Sequence, residues 1–455
     1  MFRLLNLGLL LVSFMIITGC AQQPHIQQTP IKKPNIVLLI SDDQAWNHYS
    51  FMGHKTINTP NIDALADKGV TFRRGYVPTG LCRPSLMTLA TGHYASTHGV
   101  IGNDPTDKKN PQKRAALIAK LDNFDSLPAL LTKQGYLSHQ SGKWWEGSFQ
   151  NGGFTHGMTK GFPKPNGRHG DVGLQIGRNG MKPIENFIDM AVTQEKPFFL
   201  WYAPFLPHTP HNPPKRLFDK YMKEGMSEHT ARYYAMVDWF DETNGQLVDY
   251  IEQKGLTDDT LFIYVTDNGW IQNPKSRKYA ERSKQSANEG GVRTPIIYAW
   301  GDKLKNVDRP ELASSLDIFP TILAAAGAEI PAGLPGLNLL PQLKSGNTID
   351  RDLLFGETFA HNVLDIDDPE KTLVYRWAIE GQWKLLLTYD GFVSEQYSST
   401  HPRTEKRPQL FNLIKDPHEN NNLASRHPER VAKMVQQIND WYPVKRAKTI
   451  TKWHE

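Results

Sequence analysis

Short, mostly apolar segments recur along this chain and alternate with stretches that have the pattern of amphipathic helices. Residues 35–40, 261–266 and 295–300 are three such segments. A strand that is apolar along its whole length has both faces buried, as in a mostly parallel sheet covered by helices on each side. The sequence therefore predicts an α/β fold, in which ligands bind beyond the carboxyl ends of the strands.

The composition changes after residue 327, and we expect a second, smaller unit there. Several prolines mark a linker, and a chain of 455 residues exceeds what one core usually supports. Short antiparallel strands and a final helix are predicted for residues 377–379, 383–389 and 428–441. We therefore predict a catalytic domain over residues 34–345 and a smaller C-terminal subdomain with an antiparallel sheet over residues 346–455.

Residues 1–19 have the features of an export signal, with Arg3 near the start, an apolar run and a small-residue cleavage site. The cysteine directly after that site resembles a bacterial lipobox, which implies cleavage before Cys20 and a lipid anchor on this residue. Residues 20–33 then form a flexible tether. Ala21 resembles the second residue of Gram-negative lipoproteins of the outer membrane, so we expect an exported lipoprotein that faces the periplasm or the cell surface. An ordinary secretory signal with an incidental cysteine is the alternative.

Cys82 is the other cysteine of the chain. With Cys20 committed to lipid, it has no partner for an intramolecular disulfide, so either it is a buried inert residue or it takes part in chemistry. Pro84 fits the first turn of a helix, which places Cys82 at a helix N-terminus, where an anion such as sulfate or phosphate binds well. The same position lowers the pKa of a thiol, so a plain cysteine nucleophile is also possible.

Two of the apolar segments end in polar pairs. Asp42 and Asp43 follow the first segment, and Asp267 and Asn268 follow the segment over residues 261–266. Both pairs fall at the carboxyl edge of the predicted sheet, where one metal ion could join them. An all-oxygen, strongly anionic set suits Ca²⁺ or Mg²⁺. Taken singly, each pair could instead be a turn or a helix cap.

These motifs, together with others in the same order, resemble the sulfatase family of the alkaline-phosphatase superfamily. The resemblance extends from about residue 34 to residue 424. The matching stretches are residues 34–43, 81–92, 98–100, 142–144, 207–210, 266–269, Lys284 with 289–293, 409–413, 416–417 and 422–424. The resemblance implies an alkaline-phosphatase-like fold with a large, mostly parallel sheet between helices and a smaller C-terminal antiparallel sheet.

The resemblance also implies a chemistry, the hydrolysis of sulfate esters. By position, Cys82 is oxidised to formylglycine by a formylglycine-generating or sulfatase-maturing enzyme, and the hydrated aldehyde is both nucleophile and metal ligand. The metal shell, with calcium preferred and magnesium possible, is completed by Asp42, Asp43, Asp267 and Asn268. Lys143 and Lys284 match the sulfate-binding lysines, and His208 matches the histidine beside the leaving-group oxygen.

Two positions depart from the family pattern. Leu86 stands where the family usually has an arginine, and Trp145 stands where it usually has a histidine. We expect Leu86 to pack into the core and Trp145 to offer a broad apolar face to substrate beside Lys143. The base for sulfate release must then come from elsewhere, and His98 and His93 are the nearest candidates in the sequence.

A sulfated carbohydrate is the preferred substrate class. The 11 Trp and 16 Tyr suit an exported glycan hydrolase, and stacking on sugar is predicted for Trp46, Trp144, Trp145 and Trp270, with the loops over residues 147–182 shaping the cleft. The formal net charge of +5 is spread without a basic block, which suits anionic substrates and makes nucleic acid a poor partner. Two alternatives stay open: a phosphoester hydrolase of the same superfamily, and a catalytically degenerate lipoprotein that binds sulfated glycans.

Overall fold

The computed structural model describes residues 33–161, 172–389 and 406–445 of the chain. The predicted signal peptide, Cys20 and nearly all of the predicted tether lie outside the described residues. Within the described ranges, no helix has both the length and the apolar composition needed to cross a membrane.

The helices and strands are numbered in chain order. The strands are β1 (Asn35–Ser41), β2 (Val70–Tyr76), β3 (Asp104–Pro105), β4 (Leu137–Gly142), β5 (His156–Gly157), β6 (Phe198–Ala203), β7 (Thr260–Thr266), β8 (Arg293–Ala299), β9 (Val307–Arg309), β10 (Ala313–Ser314), β11 (Leu353–Phe359), β12 (Asn362–Val363), β13 (Leu373–Glu380), β14 (Trp383–Thr388) and β15 (Gln409–Asn412). The α-helices are α1 (Pro60–Asp67), α2 (Cys82–Thr91), α3 (Ala95–His98), α4 (Pro111–Ile118), α5 (Leu127–Lys133), α6 (Lys182–Thr193), α7 (Lys215–Tyr221), α8 (Glu228–Gln253), α9 (Glu289–Val292), α10 (Ile318–Ala325), α11 (Leu340–Ser345) and α12 (Pro428–Trp441).

The larger sheet has nine strands in the described ranges, in the order β10-β2-β8-β7-β1-β6-β4-β5, with β9 paired to β2. The strands from β7 to β5 in this order are parallel to one another. β8 is antiparallel to both of its neighbours, β7 and β2. The predicted α/β fold with a mostly parallel sheet is confirmed, and β8 shows that an apolar segment indicates burial but not strand direction.

Each face of the larger sheet is covered by its own hydrophobic core. Along β1, successive side chains point to opposite faces. Ile36, Leu38 and Ile40 belong to the core on one side, and Val37 and Leu39 belong to the core on the other. None of these five residues is more than 1% exposed. Burial on both faces explains why residues 36–40 include no polar side chain.

Four neighbouring parallel strands end at the same edge of this sheet and carry the predicted site residues. Asp42 directly follows β1, Asp267 directly follows β7, and Lys143 directly follows β4. His208 lies in the loop after β6. Because β7, β1, β6 and β4 are consecutive in the sheet, the fold gathers these four side chains at one place.

The sequence located some elements well and missed others. Helix α12 begins and ends at the residues predicted for it. Helix α8 was not predicted, because its buried side includes Asp238, Asp241 and Asn244 and therefore lacks a continuous apolar stripe. The division of the chain near residue 345 stays a prediction.

The C-terminal part of the chain forms a four-stranded antiparallel sheet in the order β11-β13-β14-β15. Its side chains alternate between two cores. Trp377, Ile379 and Leu386 join the same core as one face of the larger sheet. Ala378 and Leu385, on the opposite face, pack with the apolar side of α12. The predicted antiparallel sheet is confirmed, and it is buried on both of its faces.

A buried glutamate on β11 ties this smaller sheet to the chain around the predicted nucleophile. The backbone N–H of Glu357 donates to the carbonyl of Pro78 at 2.8 Å, and its carboxylate accepts the N–H of Ser96 at 2.6 Å. The second carboxylate oxygen has no hydrogen-bond partner among the described residues. Burial raises the pKa of Glu357 from its ordinary value of 4.5 to about 7.

The raised pKa of Glu357 predicts a pH dependence of stability. The folded chain binds this proton more tightly than the unfolded chain, so the contribution of Glu357 falls as the pH rises from about 4.5 to about 7 and then levels off. Glu357→Gln removes the titration, so the decline in the free energy of unfolding should be smaller in this variant than in the wild type. Urea unfolding between about pH 5 and about pH 8 measures the difference. Glu252→Gln, at an exposed position of α8, is the control and should keep the wild-type slope; equal slopes for Glu357→Gln and wild type would contradict the prediction.

Candidate active site

Two adjacent strands bring the predicted oxygen ligands together. Ser41, the last residue of β1, is in register with Thr266, the last residue of β7. The N–H of Asp267 donates to the carbonyl of Ser41 at 2.9 Å, and the N–H of Asp43 donates to Asp267 Oδ1 at 3.1 Å. Asp43 has a left-handed backbone, with φ of 69°. The strand register therefore places the side chains that follow β1 beside those that follow β7.

Two buried oxygens in this group have no hydrogen-bond partner among the described residues. They are Asp267 Oδ2 and Asn268 Oδ1. Buried polar atoms are normally paired, and burial followed by the nearby Asp42 carboxylate raises the pKa of Asp267 well above its ordinary value. A divalent cation would satisfy both oxygens, so the residues present fit the metal that the sequence predicts, and an all-oxygen carboxylate and amide set suits Ca²⁺ or Mg²⁺.

Cys82 and His208 lie beside the carboxylates that follow β1 and β7. We call the group formed by Asp42, Asp43, Asp267, Cys82 and His208 the centre. One potential ligand atom from each of Asp42, Asp43, Cys82 and His208 lies within 4.8 Å of the others. Asp42, Asp43 and Cys82 are buried, and His208 is half-buried. The structure thus gathers residues that are up to 166 positions apart in the sequence (Asp42 to His208) into one small volume.

Helix α2 begins at Cys82, as Pro84 in its first turn predicts. The residue before the helix offers no side-chain cap, and the N–H of Arg83 donates instead to Asn103 Oδ1 at 3.1 Å. Pro84 has no N–H and the N–H of Ser85 donates to the carbonyl of Leu81 at 3.1 Å, so this turn favours an anion beside Cys82 through the positive end of the helix dipole and not through a set of free amides.

The thiol of Cys82 is fully buried. Burial raises its pKa, although the positive charges of Lys143 and Lys284 act in the opposite direction. An unmodified Cys82 is therefore a neutral thiol at physiological pH, which disfavours a plain thiolate nucleophile.

Each predicted sulfate-binding lysine is paired with a carboxylate of the centre. Lys143 Nζ donates to both carboxylate oxygens of Asp42 at 2.8 Å. Lys284 Nζ donates to those of Asp43 at 2.6 and 2.7 Å, and to Cys82 Sγ at 3.0 Å. Burial acts to lower the pKa of both lysines, but the carboxylates outweigh burial and the pKa of each is raised. Both lysines therefore carry a positive charge beside Cys82.

The turn that presents Lys143 requires glycine at position 142. Gly142 has φ of +89°, and a Cβ on it would lie 2.0 Å from the carbonyl oxygen of Ala203. The next N–H, from Lys143, donates to that same carbonyl at 2.7 Å. This close approach to β6 turns the chain and directs the Lys143 side chain to Asp42.

His208 faces the centre with one defined ring nitrogen. Its Nδ1 lies 2.6 Å from the carbonyl oxygen of Thr209, which only accepts, so Nδ1 carries the proton in this contact. Nε2 lies 3.4 Å from Asp43 Oδ2. The ring of His208 stacks on Phe205 at a centroid distance of 4.2 Å, and burial lowers its pKa well below the ordinary value.

A cavity of about 880 Å³ has both His208 and Lys284 in its wall. The wall also contains side chains that no local motif in the sequence marks, namely His211, Arg232, Arg277, Lys278, Tyr279 and His361. They come from the loop after β6, from α8, from the segment before α9 and from the loop after β11. Sequence reasoning missed them because only the tertiary fold brings these segments together.

His361 connects the C-terminal part of the chain to the turn of Cys82. Because Asn103 uses its Oδ1 to accept the N–H of Arg83, its amide nitrogen is the atom directed at His361 Nε2, 3.3 Å away. His361 Nε2 is then the acceptor and Nδ1 donates to Asn362 Oδ1 at 2.8 Å. One asparagine thus joins the start of α2 to the loop after β11.

The structure contradicts the predicted histidine bases. His98 is 1% exposed and its Nδ1 accepts the N–H of Val100, while Nε2 contacts the hydroxyl of Thr88 at 3.3 Å. Burial lowers the pKa of His98 to about 3. His93 lies in the wall of a different cavity, with Arg351. Neither lines the cavity of His208, and His98 is instead buried against helix α2, beside Pro84 and Thr88.

Most of the predicted sugar-stacking tryptophans are also placed elsewhere. Trp144 and Trp145 are 1% and 5% exposed and belong to the main core, so the expected apolar face of Trp145 is not presented to substrate. Lys143 Nζ lies 5.6 Å from the Trp145 ring centroid, which explains the inward orientation as a cation–π contact. Trp46 packs under Arg293 at 4.0 Å. Trp270 does line the cavity, and none of the described residues of 147–182 does.

Leu86 packs in the main core at 3% exposure, as predicted. A buried ion pair that the sequence did not suggest lies beside it. Arg83 donates to the two carboxylate oxygens of Glu146 at 2.7 and 2.6 Å, and the two side chains are 2% and 3% exposed. This pair joins the residue after Cys82 to the loop that carries Lys143.

Comparisons with known proteins agree with this geometry. Residues 34–328 match the family model described as Sulfatase. The N-acetylgalactosamine-6-sulfatase of Homo sapiens is 28% identical over 458 residues, covering 89% of this chain and 85% of that protein. The N-acetylgalactosamine-6-O-sulfatase of Bacteroides thetaiotaomicron is 24% identical over 519 residues, covering 93% of this chain and 96% of that protein.

Solved structures share the fold. The crystal structure of Ps i-CgsB in complex with k-i-k-neocarrahexaose has a TM-score of 0.71 and 24% identity, and the match covers 90% of this chain and 92% of that chain. The phosphonate monoester hydrolase of Agrobacterium radiobacter has a TM-score of 0.63 and 18% identity, covering 89% and 96% of the two chains. The fold is thus common to proteins that bear different names.

The buried Arg83–Glu146 ion pair lies at the start of helix α2, next to Cys82, and we expect its loss to lower the free energy of unfolding strongly. Glu146→Gln keeps the shape but leaves the buried guanidinium without a counterion, which should cost about 3 kcal/mol in the free energy of unfolding. Glu185→Gln breaks the ion pair with Lys182, whose side chain is 73% exposed, and should cost under about 1 kcal/mol. Urea unfolding measures both. The double variant Arg83→Met/Glu146→Leu should recover stability relative to Glu146→Gln, and a cost for Glu146→Gln no larger than that of Glu185→Gln would contradict the prediction.

Proposed function

The chain belongs to the sulfatase family and is a sulfuric ester hydrolase, and we propose that it desulfates carbohydrates with a formylglycine made from Cys82 and a divalent cation. The observation that carries this proposal is the position of Cys82. It starts a buried helix and lies in one cluster with Asp42, Asp43 and His208. A residue at this position lies at the positive end of a helix, beside the carboxylates proposed to bind the metal and beside two lysines.

We assign the cation to the oxygens of Asp42, Asp43, Asp267 and Asn268, with calcium as the first choice and magnesium as the alternative. The two unpartnered oxygens on Asp267 and Asn268 support this assignment. A bound cation lowers the pKa of a coordinated hydroxyl and offsets negative charge on a sulfuryl group.

The lysines bind and orient the sulfuryl group. Formylglycine at position 82 supplies a hydroxyl nucleophile that attacks sulfur. An ammonium group has three N–H donors, and Lys143 uses two of them on Asp42, which leaves one for a sulfuryl oxygen. Lys284 lies in the cavity wall and already contacts Cys82, so its charge is close to the reacting atoms. Charge that develops on the sulfuryl oxygens is stabilised by both.

His208 exchanges the proton with the leaving alcohol. Nδ1 is held by the carbonyl of Thr209, so Nε2 is the nitrogen that faces the centre. The carboxylate of Asp43, 3.4 Å away, stabilises a protonated ring. Burial favours the neutral ring with its proton on Nδ1, so Nε2 must first take up a proton from solvent through the cavity. That proton is then positioned for transfer to the oxygen that leaves.

The substrate class follows from the cavity and from the relatives. The cavity of about 880 Å³ is larger than a single sulfate ester needs, and it has aromatic and cationic residues in its wall. The relatives named N-acetylgalactosamine-6-sulfatase act on a sulfated amino sugar by name. A sulfated carbohydrate therefore fits this chain better than a small sulfate ester alone.

Two further proposals concern the cellular context. A formylglycine-generating or sulfatase-maturing enzyme would act on Cys82 before it is buried, because the folded chain leaves the thiol 0% exposed. Lipid attachment at Cys20 would hold the protein at the outer membrane, as the sequence around this residue suggests.

The proposal predicts an aldehyde at position 82 in protein made in its native host. Mass spectrometry of the peptide that contains Cys82, together with a desulfation assay on sulfated sugars, measures modification and activity on the same sample. Cys82→Ala should lower kcat by about 1000-fold or more while the fold persists, because the nucleophile is removed. A thiol that persists with no turnover, but with binding of sulfated glycans, would favour the binding-protein alternative. Faster turnover of aryl phosphates than of aryl sulfates would favour the phosphoester hydrolase.

The metal assignment predicts the metal content of variants. Asp42→Ala or Asp267→Ala deletes a charged ligand and should remove the bound cation while the circular dichroism spectrum is unchanged. Elemental analysis of dialysed protein measures the metal, and reloading the chelated wild type with Ca²⁺ or Mg²⁺ separates the two ions. Asp308→Ala is the control, since that side chain is 57% exposed and pairs with Arg73. Wild-type metal content in both ligand variants would refute the assignment.

A further inference from the structure

A pair of basic side chains in the cavity wall has no assigned role in the reaction. We propose that Arg277 and Lys278 form a subsite for a second anionic group of the substrate, a carboxylate or a second sulfate on a neighbouring sugar. This inference rests on the proposed function. Both residues line the cavity that contains His208 and Lys284, and both are exposed.

The charges on these two side chains are not paired at close range within the described ranges, although the hydrogen bond from Arg232 and, to a smaller extent, the charge of Arg277 lower the pKa of the Glu228 carboxyl. Neither the Arg277 guanidinium nor the Lys278 ammonium forms an ion pair within 4.0 Å or a hydrogen bond there. The other charged groups of the wall are paired: Arg232 with Glu228 at 2.8 Å, and Lys284 with a carboxylate of the centre at 2.6 Å. Glu228 is the acidic residue of the wall. The wall therefore has an excess of positive charge that is carried by Arg277 and Lys278.

The segment that carries the two residues is held in shape by its own hydrogen bonds. The side-chain amide of Gln272, which is 7% exposed, donates to the carbonyls of Asn273, Ser276 and Lys278 at 2.9, 2.6 and 3.1 Å. Trp270 Nε1 donates to Gln272 Oε1 at 3.1 Å. A loop fixed in this way loses little further backbone freedom when a ligand binds, so the backbone that carries the two side chains is pre-organised for binding.

This hairpin, residues 271–280, is also anchored next to the reaction centre. Its ends are joined by the N–H of Ala280, which donates to the carbonyl of Ile271 at 2.7 Å. Asn268, a proposed metal ligand, precedes it by three residues, and Lys284 follows it by four. The backbone of the hairpin that carries Arg277 and Lys278 is therefore held next to the groups proposed to bind the sulfate that is removed.

The expected size of the effect follows from the exposure of the two groups. Exposed ion pairs each change an equilibrium by a factor of up to about 5, so two together should contribute about tenfold. The contribution must fall with added salt, because exposed charges are screened over about 8 Å at physiological ionic strength.

The test compares kcat/KM of the wild type, Arg277→Ala/Lys278→Ala and Lys275→Ala. Lys275 is the matched control because it is an exposed lysine of the same hairpin that does not line the cavity. The substrates are an aryl sulfate, a disaccharide with one sulfate, the same disaccharide with an adjacent carboxylate, and one with a second sulfate. The double variant should lose about tenfold more on a doubly charged disaccharide than on the aryl sulfate, mainly through KM. The two doubly charged substrates show which anion is preferred.

A second measurement does not depend on turnover. The same disaccharides are titrated calorimetrically into Cys82→Ser protein and into Cys82→Ser protein that also carries Arg277→Ala/Lys278→Ala. Binding of the doubly charged disaccharides should be about tenfold weaker without the Arg277 and Lys278 side chains, and the difference should be smaller at high salt. Equal losses on all substrates, unchanged binding, or the same effect in Lys275→Ala would overturn the subsite. A wild-type protein that turns over no sulfate ester would instead overturn the proposed function, and the binding measurement would still decide the subsite.

Discussion

Buried charge is the constraint on which the site depends. The carboxylates of Asp42, Asp43 and Asp267 and the ammonium groups of Lys143 and Lys284 are all at least 95% buried, so each charge is tolerable only through its neighbours. The carboxylates outnumber the ammonium groups by one, and the raised pKa of Asp267 shows that burial and Asp42 favour a proton on this group. Carboxylates bind metals in their ionised form, so a cation at this position would displace that proton. Binding of the proposed cation would thereby depend on pH through Asp267.

The sequence predicted the centre well because its residues directly follow strands. An apolar segment that ends in Asp42 or Asp267 indicates a strand and also marks its carboxyl end, where the candidate metal ligand follows. Parallel pairing of β1 with β7 then brings these candidate ligands together. The cavity wall was not predictable in this way. His361 is brought to the cavity by contacts between segments that are far apart in the sequence: it contacts Asn103, and β12, which follows it, pairs with β3. Conversely, His98 is near Cys82 in the sequence, but its side chain is buried against helix α2 and does not line the cavity.

The two departures from the family pattern have different structural consequences. The side chain of Leu86 packs in the main core. Other contacts must therefore hold the first turn of helix α2. Those contacts come from the neighbouring Arg83, whose backbone N–H is bound by Asn103 and whose guanidinium is bound by Glu146. Trp145, in turn, lies with its ring centroid 5.6 Å from Lys143 Nζ and contributes apolar burial where the family usually has a polar side chain. The start of helix α2 is therefore fixed by buried polar contacts from two separate segments, one with Asn103 and one with Glu146.

The hairpin over residues 271–280 is bounded by the carbonyl of Ile271 and the N–H of Ala280, which close it at its base. Between these two residues, the side-chain amide of Gln272 holds the backbone through three carbonyls. Residues 274, 275, 277 and 278 of the hairpin are exposed. Exposed positions of this kind tolerate substitution because they carry little of the folding energy. The hairpin is therefore a segment in which mutations can accumulate without disturbing the metal ligands on one side or Lys284 on the other. Natural variation in related chains could adjust which glycan is accepted there while the hydrolytic chemistry is inherited unchanged.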